Sequence, residues 1–138
     1  MDRDPVFLSA FMVQLGGTKR GAFGWYCRRN GLDPARQDDG GLDNDPLAAV
    51  LAKRGFKNFV LYVKGAPPAP DAVTVATLAH EAFHGACHVM SCAGIDPAAD
   101  ASDEATAYYI GFVVREVYAR LWPPPAARKA RRRKAGKG

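Results

Sequence analysis

The chain has 138 residues, 48% of them hydrophobic, and a formal net charge of +5. This length suits one domain with a single modest core, and no apolar run approaches the ~18 residues of a membrane-spanning helix, so we expect no membrane partner. The first five residues include two acids and lack the basic start and long apolar stretch of a signal peptide, which predicts a cytoplasmic protein or one packaged from a cytoplasm.

The positive charge is concentrated at the C-terminus. Seven of the 19 basic residues lie within residues 128–138, which contain no acid, so the remainder carries 12 basic and 14 acidic residues. These seven are Arg128, Lys129, Arg131, Arg132, Arg133, Lys134 and Lys137. We therefore expect residues 1–125 to form one domain that does not itself bind nucleic acid, and residues 126–138 to be a disordered tail that could contact nucleic acid or an acidic partner.

The N-terminal part of the chain predicts strands and a loop. Residues 7–13 and 21–27 are apolar or aromatic runs closed by turn signals, and they predict two strands that could pair as a hairpin. Residues 31–46 contain adjacent glycines and two Asp-Pro steps, which predict a mobile loop. Residues 46–54 then predict a short helix that ends at Gly55.

The C-terminal part predicts one strand and two helices. Residues 59–63 are the strongest strand signal, and apolar residues at helical spacing predict a helix over about 71–91. Ser102 is placed to cap a second helix that runs to about Leu121 and is stopped by three prolines. Strands followed by helices indicate an α+β fold with a small N-terminal antiparallel or mixed sheet.

The sequence His80-Glu81-Ala82-Phe83-His84 is an HExxH motif inside the first of these helices. Four residues at ~100° each bring the second histidine within ~40° of the first, one turn and ~6 Å along the helix. Two imidazoles so placed can bind one zinc ion, while Glu81, rotated ~100° from His80, can reach a water molecule and act as general base. The motif therefore predicts a zinc site, against the alternative of two histidines on a helix surface.

This motif, followed by Glu104-Ala105-Thr106-Ala107-Tyr108, resembles the Glu-zincin (gluzincin) metallopeptidases, in which a glutamate on the following helix is the third zinc ligand. The interval from His84 to Glu104 is similar to that of the thermolysin-like members. Residues 103–111 also resemble small zincin-like proteins of tailed bacteriophages and prophages. The resemblance covers about residues 57–121, and it implies a minimal zincin-like domain with one zinc ion held by His80, His84 and Glu104.

The chain departs from the thermolysin-like pattern at one position. Those enzymes carry an aspartate four residues after the third ligand, where this chain has Tyr108, so the residue that would orient His80 is unassigned. Asp103 and Asp100 are alternative third ligands. A metzincin interpretation fails, because its third histidine would fall at Met90.

Three further residues are candidates for supporting roles. His88 lies ~12 Å from His80 along a helix, so it cannot share the same ion and is predicted to be a surface or supporting histidine. Tyr108 and Tyr109 could stabilise an oxyanion, although aromatic residues on such a helix more often belong to the core.

Taken together, these features predict a zinc metallopeptidase whose substrate is an extended peptide or protein. The resemblance implies that the strand at residues 58–63 borders the cleft and pairs with the substrate. The alternative is a catalytically weak or inactive structural or adaptor protein of zincin fold, for example a phage virion component, with its basic tail on nucleic acid or an acidic partner. A closed site with Cys87 or Cys92 as fourth ligand would favour that alternative.

Overall fold

The structure is a computed structural model that describes residues 2–3, 10–37, 44 and 46–125. The α-helices are α1 (Lys19–Arg29), α2 (Ala72–Cys92) and α3 (Asp103–Leu121), and the strands are β1 (Asp2–Arg3), β2 (Ala10–Leu15), β3 (Ala48–Leu51) and β4 (Phe59–Val63). Short 3-10 turns occur at Pro34–Arg36 and Asp100–Ser102. The predicted α+β class is confirmed, as are the strand at 59–63 and the two late helices.

The strands form one mixed sheet in the order β1-β2-β4-β3. β4 is parallel to β2 on one side and antiparallel to β3 on the other, and all five of its residues are buried. Complete burial of consecutive residues is expected when both faces of a strand are covered. In the described part of the chain β3 is therefore an edge strand, and β4 is interior.

Helices cover both faces of the sheet. Phe59, Leu61 and Val63 pack in one core cluster with residues of α2 and α3, whereas Val60 and Tyr62 pack in a second cluster with residues of α1. This division follows from the two-residue period of a strand, which sends alternate side chains to opposite faces. The domain is thus three layers deep, with α1 on one side of the sheet and the helix pair on the other.

The prediction of a strand at residues 21–27 is wrong, because this segment lies within α1. Thr18 caps the helix, its side chain accepting a hydrogen bond from the Gly21 N–H at 3.0 Å. Four of its apolar side chains pack in one core cluster at the spacing of one helical face: Ala22, Phe23, Tyr26 and Cys27. Aromatic residues favour strands, but here they form the apolar face of a helix that packs against the sheet. Packing therefore overrides the local strand propensity of this segment. No hairpin forms with the preceding strand, which pairs with β4 instead.

The prediction of a helix at residues 46–54 is also wrong, because Ala48–Leu51 form β3. The Lys64 N–H donates to the Leu47 carbonyl at 2.9 Å, extending the ladder between β3 and β4. Alanine and leucine favour helices in isolation, but pairing with a buried neighbour strand decides their conformation here. Residues 7–9 of the predicted first strand, residues 38–43 and 45 of the predicted loop, and the tail from residue 126 lie outside the described residues.

None of the helices in the described residues is long and apolar enough to span a membrane. Cys27, Cys87 and Cys92 are free thiols.

Helix α2 approaches the sheet closely at one glycine. A Cβ atom built on Gly85 would lie 2.7 Å from Cζ of Phe59 on β4. Heavy atoms cannot approach so closely, so a side chain at this position would force α2 away from the strand. Gly85 directly follows His84, and the helix therefore meets the sheet beside the HExxH motif.

We predict that Gly85→Ala lowers the free energy of unfolding by about 1–3 kcal/mol, because it forces the aromatic ring or the helix to move. The matched control is Gly111→Ala in α3, where an added Cβ meets nothing within 4 Å. That control should be neutral or stabilising by up to about 1 kcal/mol, since alanine favours the helix. Urea denaturation of both variants measures the difference, and equal stabilities would contradict the packing described.

Helix α2 begins at a charged cap. Asp71 accepts hydrogen bonds from the Thr74 N–H at 3.0 Å and from the Thr74 hydroxyl at 2.8 Å. Both bonds lower the pKa of the Asp71 carboxyl below its usual value, and the bond from the Thr74 N–H has the larger effect. The ionised cap therefore stabilises the folded chain at neutral pH.

We predict an acid-dependent loss of this stabilisation. Because the pKa of Asp71 is lower in the folded than in the unfolded chain, its contribution is present above the unfolded pKa of ~3.9 and is lost as the pH falls through the lower folded value. The stability difference between the wild type and Asp71→Asn should thus shrink between about pH 5 and pH 3. Denaturation at several pH values measures it, and a constant difference would show that the carboxylate charge is not involved.

Candidate functional site

His80 and His84 face each other on the exposed side of α2. Their Nε2 atoms are 3.1 Å apart, and their ring centroids are 4.7 Å apart at an interplanar angle of 79°. Tetrahedral coordination at ~2.0–2.1 Å per nitrogen places two ligand nitrogens about 3.3 Å apart. The two imidazoles therefore already have nearly the separation that two ligands of one zinc ion require.

Glu81 connects this helix to the edge of the sheet. Its Oε2 accepts a hydrogen bond from the Val50 N–H of β3 at 2.8 Å. In an antiparallel pair, every second residue directs its backbone groups toward the neighbouring strand. Leu47 bonds to β4, so Ala49 also faces β4, whereas the Val50 N–H points away from it and would otherwise need water or another strand as acceptor. The carboxylate is thus held at the outer edge of β3, beside the histidine pair.

A cleft of about 700 Å³ runs between β3 and the start of α1. Its walls come from three elements: Lys19 and Phe23 of α1, residues 49–54 of β3 and the segment after it, and Glu81 and His84 of α2. The cleft therefore brings one histidine, the carboxylate and an edge strand to a common surface, which is an arrangement able to hold an extended chain next to a polar site.

Tyr26 fixes the end of the edge strand, a role that the sequence analysis missed. Its hydroxyl donates to the Asn58 carbonyl at 3.2 Å and accepts from the Lys53 N–H at 3.1 Å. Burial raises the pKa of the Tyr26 hydroxyl, which favours the protonated form that donates to the Asn58 carbonyl. The i, i+3 and i+4 spacing of the apolar residues in this segment was the signal that could have placed Tyr26 on a helix.

His88 lies apart from the histidine pair. Its Nε2 is 2.7 Å from the Phe56 carbonyl oxygen, to which a protonated nitrogen donates, and 3.7 Å from the Cys92 Sγ. The Cys92 thiol donates to the same carbonyl at 3.5 Å. These contacts attach the end of α2 to the turn between β3 and β4, which suits a structural histidine.

The predicted third ligand and its two alternatives lie at the start of α3. Asp103 and Glu104 are exposed in the first turn of α3, and Asp100 lies in the preceding 3-10 turn. Among the residues that the structure describes, no group of three or more His, Cys, Asp or Glu could hold a metal ion. The pair of histidines is observed, and the third ligand remains a prediction.

The two tyrosines of α3 differ in their surroundings. Tyr108 is 47% exposed, whereas Tyr109 is fully buried in the core, with its ring centroid 5.8 Å from that of Phe112. Tyr108 is therefore the one whose ring reaches solvent, and Tyr109 belongs to the packing between α3 and the sheet.

The strand at residues 58–63 cannot pair with a substrate, contrary to expectation. It corresponds to β4, which has β2 on one side and β3 on the other, so its backbone groups are already used. The strand with an outward edge beside Glu81 is β3, a segment that the sequence predicted to be helical.

Comparison of the chain with protein-family models, with curated proteins and with solved structures gave no match.

The bond between Glu81 and Val50 yields a prediction. In Glu81→Ala the Val50 amide should exchange with solvent about tenfold faster, because it loses a hydrogen bond to a charged acceptor. Glu81→Gln retains a side-chain oxygen and should show a smaller increase. Amide exchange by NMR measures both, with Leu61 at the centre of β4 as an unaffected reference, and unchanged exchange of Val50 in Glu81→Ala would mean that the bond does not form.

Proposed function

We propose that this chain is a zinc-dependent metallopeptidase. The observation that carries the proposal is the convergence of the His80 and His84 Nε2 atoms to 3.1 Å beside a glutamate that is held at the edge of a cleft. The residue types and their order, with the acid directly after the first histidine, are those that hydrolysis by a zinc-activated water requires.

The donor atoms suit a zinc ion. His80 and His84 would hold it through Nε2, and the resemblance to Glu-zincins favours Glu104 as the third ligand. Both rings are exposed, which favours a site open to a substrate over a closed structural one. A zinc ion at this position supplies a Lewis acid that increases the acidity of water and polarises a peptide carbonyl.

Glu81 would carry the proton in this reaction. A carboxylate has two oxygens, and the Val50 N–H holds Oε2, which orients the group and leaves Oε1 to face a water molecule. Glu81 takes a proton from the water as its oxygen attacks the carbonyl carbon. It then gives that proton to the nitrogen as the carbon–nitrogen bond breaks.

The edge strand β3 would bind the substrate. The alternation of ladder bonds directs the backbone groups of Ala48 and Val50 away from β4. The Val50 N–H is taken by Glu81, and an extended peptide can hydrogen-bond to the Val50 carbonyl and to the Ala48 N–H and carbonyl. This pairing would place a peptide backbone alongside Glu81. The substrate is therefore proposed to be an extended segment of a peptide or protein.

Metal content and hydrolysis test the proposal together. The purified protein should contain about one zinc ion, which His80→Ala and His84→Ala should lose, and which His88→Ala should keep because this residue bonds to a backbone carbonyl. Glu81→Gln should keep zinc and fold but lose hydrolysis of a peptide library by at least ~10²-fold, since only the general base is removed.

Elemental analysis and mass spectrometry of the digested library provide the two measurements. Full zinc content in His80→Ala/His84→Ala, or undiminished hydrolysis by Glu81→Gln, would contradict the proposal. Loss of zinc in Glu104→Ala would identify Glu104 as the third ligand, whereas full zinc content in this variant would favour Asp103 or Asp100 instead.

A further inference from the structure

The wall of the cleft carries positive charge. Three of its residues are basic: Lys19, whose Nζ donates to the Asn44 Oδ1 at 2.7 Å, and Lys53 and Arg54. Glu81 is the one acid among the described residues that line it, and its Oε2 already accepts the Val50 N–H. Cations that share a concave surface raise the local concentration of anionic groups. The described lining therefore attracts negatively charged side chains.

Lys53 is held in place by contacts of both its backbone and its side chain. The Lys53 N–H donates to the buried Tyr26 hydroxyl at 3.1 Å, and the Lys53 Nζ lies 5.9 Å from the centroid of the Phe23 ring. This second distance is within the range of a cation–π contact. The ammonium group is thus directed along the cleft wall, and Arg54, which follows it, is exposed at the same wall.

The spacing along β3 locates this charge relative to the reacting bond. Val50 holds Glu81, and Lys53 follows Val50 by three positions in the chain. Lys53 is the second residue after the end of β3, and at ~3.3 Å per extended residue it lies at most about 10 Å from Val50. A substrate extended beside β3 would therefore place a side chain about two or three residues from its scissile bond next to Lys53 and Arg54.

We infer that the cleft selects peptides that carry an aspartate or glutamate about two or three residues from the scissile bond, with Lys53 as the main specificity-determining residue and Arg54 beside it. This inference rests on the proposed peptidase function. The acidic carboxylate pairs with the two cations.

The first experiment compares cleavage of matched peptides by the full-length, zinc-loaded protein. The two peptides of a pair are identical except at one position, which is Glu in one peptide and Gln in the other. That position lies two or three residues before or after the cleavage site. We expect kcat/KM to be about tenfold higher for the Glu peptide at low salt, and the ratio to fall toward one at high ionic strength. Lys53→Gln should reduce the ratio about threefold or more, and Lys53→Glu should invert it.

The control is Arg115→Glu on α3, which changes the net charge as much as Lys53→Glu does but does not line the cleft. Its ratio should equal that of the wild type, and this comparison also cancels any attraction of acidic peptides to the basic C-terminus. A wild-type ratio near one, or an equal loss in Arg115→Glu, would overturn the inference while the cleavage itself would still support a peptidase.

A binding measurement separates the two proposals. Fluorescence anisotropy of the labelled Glu and Gln peptides on Glu81→Gln, with and without Lys53→Gln, reports recognition without turnover. Tighter binding of the Glu peptide that depends on Lys53, together with no cleavage by the wild type, would support recognition of acidic peptides by Lys53 and reject the peptidase, and with it the position relative to a scissile bond. Displacement of the peptide by a single-stranded oligonucleotide with the same dependence on Lys53 would assign the cleft to nucleic acid and overturn the inference.

Discussion

The close contact between Gly85 and Phe59 sets the position of the helix that carries the site. A Cβ at Gly85 would lie 2.7 Å from the Phe59 ring, so only glycine lets α2 pack this closely on the central strand. The following turns bury Ala86, Val89 and Met90 against the same core. With that side of the helix fixed on the sheet, His80 and His84 are left on its exposed side with their nitrogens converging.

The edge of the sheet completes the site because it is attached at two points. Val50 donates to Glu81 on α2, and Lys53 donates to Tyr26 on α1, so one four-residue strand and the second residue after it join the helices of both layers. A short edge strand is by itself a weak element. These two bonds give β3 a fixed place between α1 and α2, and the cleft lies in the space that remains.

The candidate site was easier to predict than the fold of its surroundings. His80, Glu81 and His84 lie within five residues of one helix, so their geometry follows from helical periodicity once the helix is predicted, and the structure places the two histidines as expected. The position of Glu104 depends on how α3 packs and on 3-10 and turn residues before it, which short-range patterns do not specify. The resemblance to zincins implied that β4 pairs with the substrate, and its two neighbouring strands could not be predicted from the local sequence pattern.

The sequence by itself determined the elements whose signals are local: the buried strand β4, the two long helices with the HExxH motif, and the α+β class. Only the tertiary structure decided that residues 21–27 are helical and residues 48–51 are a strand, because aromatic and alanine-rich segments satisfy either conformation until a neighbouring surface selects one. It also decided that Lys53, Phe23 and Glu81, which are distant in the chain, line one cleft, since such proximity depends on strand order and layer packing rather than on residue spacing.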